Sequence, residues 1–584
     1  AGLIKFDFLG LKTLTVINNT QKLVRKFNKV FDIENISYED QKVFDLLSSG
    51  NTVGLFQVES AGMREALVQM KPNHIEDIIA LVALYRPGPM SNIPTYNDCK
   101  HGRQTPDYLH PLLEDILKPT YGVIIYQEQV MQIAQKLSGF TAGQADLLRR
   151  AMGKKKRAEL EKQKQGFIAG ALKNGIAKDV AAGIFLKIEP FAEYGFNKSH
   201  AAAYAIISYQ TAFLKTYYPK EFIAASMTMD ISNQNKLSEF YEELKRLNVE
   251  ITRPDINECF ADFRTVDNKF YYALGGIKAV GFEAISNVVK ERTENGNFKS
   301  INDFLNRVNP KDMNKLQLEG LVKAGAFDSI NNNRQSLFNS IPNFILKTKN
   351  MFENKSANQI DLFSEDETTQ DNIVNEIEDW KFEERLSKEF EAVGFFISDH
   401  PLNQFTEIFD DYKIVDYSNF NLSDEIREAN IAATLLKVQE RKTAKGNSYA
   451  VLKLTDLTSV FELFIFSDIL ELNREILKEG NSLLLTLVKS ISNDENRFKR
   501  VNVQKIGSMM DLFNSPINEV FFEVNSSENL NEISKILAEE GKTDVNIRMV
   551  LDEKILEFKL KNSRNLDRKS LNLLRKREIS STIN

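Results

Sequence analysis

Two cysteines in 584 residues, Cys99 and Cys259, lie far apart and form no CxxC pair. A disulfide framework and a zinc site are thereby disfavoured, and a reducing, cytoplasmic setting is expected. No apolar run approaches the roughly 20 residues that span a bilayer, so no membrane segment is expected. No secretory signal is visible, and the chain opens on Ala1 rather than methionine. Positive charge is not in excess either: 75 Lys and Arg stand against 81 Asp and Glu, a net charge of −6. A global nucleic-acid signature is absent, and any polyanion site has to be a local basic patch. Internal repeats are absent as well. What is present is 42% hydrophobic residues, enough for several cores, in a length that suggests about four domains.

Organisation changes along the chain. From Leu11 to about Ser340 the spacing is mostly helical, with Gly- and Pro-marked loops such as LYRPGPMSNIP and TYYPKE. TAGQADLLRRAMGKKKRAELEKQKQGF reads as two helices broken at Gly153. Ser199 is a candidate N-cap for a long helix that Pro219 closes. YYALGGIKAVGFEAISNVV reads as a glycine turn between two apolar helical stretches. Between about Asn350 and Ser387 the composition turns acidic and polar, as in a linker. From about Ala429 the period switches to strands: IAATLLKVQ, SYAVLKLTDL, VFELFIF, SLLLTLV and FKRVNVQKI, with one helical piece before the fourth. This pattern suggests a small OB-type barrel, and the remainder reads as a small α/β unit. The fold class is therefore multidomain α+β.

Five stretches carry chemistry. In LIKFDFLG, an extended run, Ile4, Phe6 and Phe8 share one face while Lys5 and Asp7 share the other. That pair is either an ordinary ion pair on a solvated strand or a metal-binding carboxylate beside a cation. LLRRAMGKKKR gathers Arg149, Arg150, Lys154, Lys155, Lys156 and Arg157, with Asp146 and Glu159 the nearest acids. Forked guanidiniums beside lysines suit phosphates; a solvated helix end is the competing reading. EYGFNKSHAAAYA brings Tyr194, Asn197, Lys198 and His200 to a helix start, where anions are favoured; the competing reading has Tyr194 and Phe196 as packing residues and His200 as a surface cap. GGIKAVG, with Gly276, Lys278 and Gly281, has the look of a helix-hairpin-helix turn whose amides approach a DNA phosphate. QIDLF places Gln359, Asp361, Leu362 and Phe363 in the acidic stretch, as a docking peptide or a local tuck.

Together KFDFLGLKTL, LYRPGPM, YGVIIYQEQVMQIA, ADLLRRAMGKKK and YGFNKSHAAAYA resemble the alpha subunits of bacterial DNA polymerase III, the family C replicative polymerases, in that family's order. The resemblance implies residues 1–12 as the end of the palm, 13–265 as fingers and 266–345 as a helix-hairpin-helix region. It implies 346–425 as a sliding-clamp-binding segment, 426–508 as an OB-fold domain and 512–584 as a tau-binding-like C-terminal domain. Asp7 matches the third catalytic, metal-ligating aspartate, and Lys5 a lysine near the nucleotide. Arg149, Arg150, Tyr194 and His200 match residues of the nucleotide pocket. Lys154, Lys155 and Lys156 match the adjoining basic run, read here as a DNA contact. Gly276, Lys278 and Gly281 would grip duplex DNA, and Arg441, Lys442 and Lys445 single-stranded template. Gln359, Asp361, Leu362 and Phe363 match the internal clamp motif.

The implied reaction is two-metal phosphoryl transfer with Mg2+ from a dNTP to a primer 3′ end. Primer–template DNA, the sliding clamp and the clamp-loader tau subunit are the implied partners. The upstream Asp-x-Asp element is not in these residues, so the fragment alone is expected to be inactive. The alternatives are a non-catalytic DNA- and clamp-binding scaffold, or an error-prone paralogue of the same family.

Overall fold

The computed structural model describes residues 10–153, 157–356, 374–423, 425–443, 446–491, 499–551 and 554–583. Lys5, Asp7, Lys154, Lys155, Lys156, Lys445 and the QIDLF residues Gln359, Asp361, Leu362 and Phe363 lie outside them. The chain divides into two compact units. One comprises residues 1–252 with 258–276, the other 253–257 with 277–584.

The first unit is helical. Ile75–Leu84 (IEDIIALVAL) is apolar nearly all round and is buried against Lys198–Tyr217. Gln127–Ser138, Ala142–Gly153, Arg157–Lys173 and Lys178–Tyr194 enclose a second core. Val130, Ile133, Leu137, Leu148, Phe167, Phe185 and Ile188 fill it. A close crossing in that core sits at Gly170, where an added Cβ would lie 2.1 Å from the Ser138 carbonyl oxygen. Only glycine fits there. Gly153 is the last described residue of one helix and Arg157 the first of the next, so the break expected at Gly153 falls at residues outside the described ones.

A small sheet ends this unit: β1 (Ile251–Thr252), β2 (Arg264–Val266) and β3 (Lys269–Tyr271), in the order β1-β3-β2. The stretch before GGIKAVG is therefore a strand and not the helix expected. Asp267 and Asn268 both adopt positive φ, 47° and 66°, the signature of a two-residue hairpin turn. The aromatic run Phe270-Tyr271-Tyr272 suits the pleat that follows.

The second unit opens with the helices Phe282–Asn295, Ile301–Arg307, Lys315–Lys323, Arg334–Ser356 and Phe382–Val393. Arg334–Ser356 continues past Asn350, where the expected linker starts, and is anchored by buried Leu337, Ile341, Phe344 and Thr348 at helical spacing. Five antiparallel strands follow: β4 (Glu428–Lys442), β5 (Ser448–Thr455), β6 (Val460–Phe466), β7 (Ser482–Ile491) and β8 (Lys499–Ser508). Their order is β6-β5-β4-β7-β8. The helix Ser467–Asn473 links β6 to β7.

Hydrogen bonding among the described residues leaves β6 and β8 as edges, so the expected barrel is an open sheet. It is strongly curled, for some Cα atoms of β6 and β8 lie within 8 Å. The last element group is β9 (Glu519–Val524), β10 (Glu540–Leu551), β11 (Lys554–Lys559) and β12 (Ser580–Ile583), in the order β11-β10-β9-β12. The helices Ser527–Ile536 and Arg568–Arg575 pack on it, which makes the expected α/β unit. No helix among the described residues is long and apolar enough to cross a membrane.

Candidate functional site

Four separate motifs of the first unit meet at one backbone bridge. Phe196 N–H donates to the Ile125 carbonyl and Gln127 N–H donates to the Phe196 carbonyl, each at 3.0 Å. This parallel bridge joins Tyr126 to Phe196. It fixes the start of Gln127–Ser138 beside the start of Lys198–Tyr217.

The cations gather around it. The Arg149 guanidinium donates to Asp146 Oδ1 through Nε at 3.0 Å and Nη2 at 2.8 Å, and reaches Gln127 Oε1 through Nη1 at 3.4 Å. Arg150 Nε lies 2.8 Å from Asp146 Oδ2, with most of its side chain in water. The basic run is thus not unopposed at its first two members: one carboxylate holds both arginines. They in turn hold the Asp146 carboxyl below the usual range, the Arg149 hydrogen bond contributing most. Lys198 Nζ pairs with Glu76 Oε2 at 3.2 Å and sits 5.4 Å from the centroid of the Tyr126 ring. Arg86, in the LYRPGPM loop, places its guanidinium carbon 4.4 Å from the Phe196 ring centroid.

The helix start at EYGFNKSH is capped from within. Asn197, rather than Ser199, is the N-cap, and its Oδ1 accepts the His200 N–H at 2.8 Å. Glu128 adds a carboxylate, accepting the Lys198 N–H at 3.0 and 3.2 Å and Asn197 Nδ2 at 2.8 Å. The anion favoured at this helix N-terminus is therefore a side chain of the protein itself. The His200 ring is exposed, 5.4 Å from Phe196 and 4.6 Å from Tyr204. Tyr194 lies in the last turn of Lys178–Tyr194.

In the first unit Gly276 is buried in a 3-10 turn, its α-carbon facing the Phe263 ring. In the second, Lys278 is exposed, but its amide donates to the Ala392 carbonyl at 2.9 Å. Gly281 is the N-cap of Phe282–Asn295. The positive φ of this stretch falls on Ala279, at 63°, and on neither glycine. A Cβ at Gly281 would sit 3.2 Å from Gln317 Nε2, a tight contact that the end of a flexible side chain would have to relieve.

Arg441 and Lys442 end β4 on its exposed side, Arg441 donating to Gln439 at 2.8 Å. Arg441 pairs with Tyr449 across β5, and Tyr449 with Phe466 across β6. Phe464 and Phe466 are 54% and 49% exposed on the outer face, with Arg500 5.9 Å from the Phe466 ring centroid. The sequence reading passed over these aromatics. The alternation of VFELFIF was the available signal, with Phe461, Leu463 and Ile465 inward and Glu462, Phe464 and Phe466 outward. It also passed over Arg86, Gln127 and Glu128. No group of three His, Cys, Asp or Glu among the described residues is placed to hold a metal ion.

Comparison with known proteins adds the following. Residues 13–175 match the family described as the bacterial DNA polymerase III alpha subunit finger domain, and residues 248–337 match a helix-hairpin-helix motif. The DNA polymerase III subunit alpha of Caulobacter vibrioides is 42% identical over 505 residues, covering 85% of this chain and 44% of the relative. That of Borreliella burgdorferi is 38% identical over 572 residues, covering 96% and 50%. That of Escherichia coli O6:H1 is 38% identical over 503 residues, covering 83% and 43%. The chain spans about half the length of the curated relatives it matches.

Proposed function

Since this chain belongs to the family of bacterial DNA polymerase III alpha subunits, we propose that it is the nucleotide- and DNA-binding part of a replicative DNA polymerase. The substrates are a dNTP and primer–template DNA. Arg149 and Arg150 neutralise the triphosphate, with guanidinium forks matched to phosphate oxygens. Tyr194 and His200 line the nucleotide pocket, and Lys5, Lys154, Lys155 and Lys156 add charge beside it. One observation supports this reading most. Arg149 reaches Gln127, Gln127 is bonded to Phe196, and the Phe196 ring faces His200, so motifs distant in sequence share one surface.

The reaction is phosphoryl transfer, in which Asp7 would be this chain's ligand to a pair of Mg2+ ions that would supply charge neutralisation at the reacting oxygens. The described residues offer no set of donors that fits those ions. Gly276, Lys278 and Gly281 belong to the duplex-binding hairpin. The curled sheet β4–β8 is a partly open OB-type domain, whose Arg441, Lys442 and Lys445 meet single-stranded template beside half-buried Tyr449 and exposed Phe464 and Phe466. Gln359, Asp361, Leu362 and Phe363 dock on the sliding clamp, and the β9–β12 domain on the tau subunit.

Primer extension tests this assignment, on the 584-residue chain and on a polymerase restored to the length of its relatives. The restored enzyme is expected to extend a primer and the chain alone to be silent. An inert restored protein that still binds DNA and clamp would favour a scaffold. Robust synthesis by the chain alone would overturn the placement of the metal ligands.

A further inference from the structure

Arg86 leaves a rigid platform. Pro87 and Pro89 flank Gly88, which holds φ at 99°, and the Arg86 carbonyl accepts the Met90 N–H at 3.1 Å. The side chain is held at Nε, which donates to the Ala83 carbonyl at 2.9 Å, and over a ring, with the guanidinium carbon 4.4 Å from the Phe196 centroid. From there the rings continue, with Phe196 to His200 at 5.4 Å, His200 to Tyr204 at 4.6 Å and Tyr204 to Phe56 at 5.4 Å. The Phe196 backbone is pinned by its two bridge hydrogen bonds, whereas its half-buried ring is restrained by what stacks on it. The other side of the same bridge carries Gln127, which receives Arg149. Arg149 and His200 are therefore referenced to one bridge, the first through an amide side chain and the second through the Phe196 ring.

We propose that Arg86 is a positioning residue for nucleotide binding. Its guanidinium plane holds the Phe196 ring, and that ring sets where the His200 imidazole stands relative to Arg149. Arg86 itself need not touch the nucleotide. This rests on the reading of His200 as a residue of the nucleotide pocket. An arginine suits the task because its plane stacks on an aromatic face while Nε keeps a separate hydrogen bond; a lysine ammonium does one or the other.

The test uses the polymerase restored to the length of its relatives. Arg86→Ala is expected to raise KM for dNTP about two- to fivefold, the loss that one stacked cation on an aromatic ring represents. kcat and the primer–template Kd are expected to stay as they are. Arg86→Lys is expected not to restore KM, whereas a role through charge alone would be rescued by lysine and would overturn the proposal. In the double variant Arg86→Ala/His200→Ala, KM is expected to equal that of His200→Ala alone, and additive increases would contradict action through His200. A raised KM for His200→Ala beside an unchanged KM for Arg86→Ala overturns the positioning role only; unchanged KM in both overturns the nucleotide-pocket reading with it. In the 584-residue chain, the His200 ring resonances are expected to move in Arg86→Ala. Resonances that stay in place would count against the proposal without any need for turnover.

Discussion

The Glu128 carboxylate accepts the backbone N–H of Lys198 at 3.0 Å, so one helix start is closed by an acid borrowed from the start of another. The contact makes Glu128 part of the cap of a 20-residue helix along with Asn197. Replacing it with alanine is expected to cost about 1 kcal/mol of stability, the usual worth of a cap. Urea unfolding of the 584-residue chain measures this, and an unchanged midpoint would remove Glu128 from the cap.

A second acid restrains the arginines assigned to the triphosphate. Asp146 bonds both Arg149 and Arg150, and its carboxyl is held below the usual range mainly by the Arg149 hydrogen bond. Asp146→Asn is expected to release the two guanidiniums and tighten dATP binding roughly two- to fivefold at low salt, the worth of an exposed ion pair. The gain is expected to shrink as salt rises. Calorimetric titration checks it, and weaker binding would mean that Asp146 aims the arginines rather than masking them.

Helix Lys198–Tyr217 buries a titratable group at its far end. Lys215 Nζ donates to the carbonyls of Asn51 and Val53 and pairs with Glu243 at 2.7 Å, almost wholly out of water. Burial lowers its pKa from the ordinary 10.5 to about 8, against the pull of Glu243. Below pH 8 both folded and unfolded chains hold the proton, and the cost of burying the charge is present in full. Between pH 8 and 10.5 the unfolded chain keeps a proton that the folded chain has shed, so the Lys215 contribution to stability rises with pH. The stability difference between the wild type and Lys215→Met is expected to shift in favour of the wild type across that window. A difference that is flat, or that falls, would contradict the lowered pKa.

What was legible in the sequence was whatever repeats with a period. The strands β4 to β8 follow from alternation, and β6 occupies VFELFIF from end to end. The helix at Lys12–Val24 lies within the stretch from Leu11 that reads as helical from spacing alone. Misreadings came where a turn residue or a distant partner decides. Asp267-Asn268 makes a hairpin, which turned an expected helix into β3. Asn197 displaced Ser199 as the cap because its side chain reaches forward to accept the His200 N–H. Asp146 stood beside the arginines in the sequence, yet its bonds to both required the geometry of one helical turn. Glu128 and Arg86 could not be read at all, since their roles arise only once the Tyr126–Phe196 bridge joins segments some 70 residues apart.

The central claim is that Arg149 binds the triphosphate beside His200. Its most direct test is KM for dNTP, measured with Arg149→Ala in a polymerase restored to the length of its relatives, beside the Kd for primer–template DNA. Loss of a charge-assisted phosphate contact is expected to raise KM about tenfold or more while Kd stays within about twofold. An unchanged KM, or an equal rise in both quantities, would contradict the account.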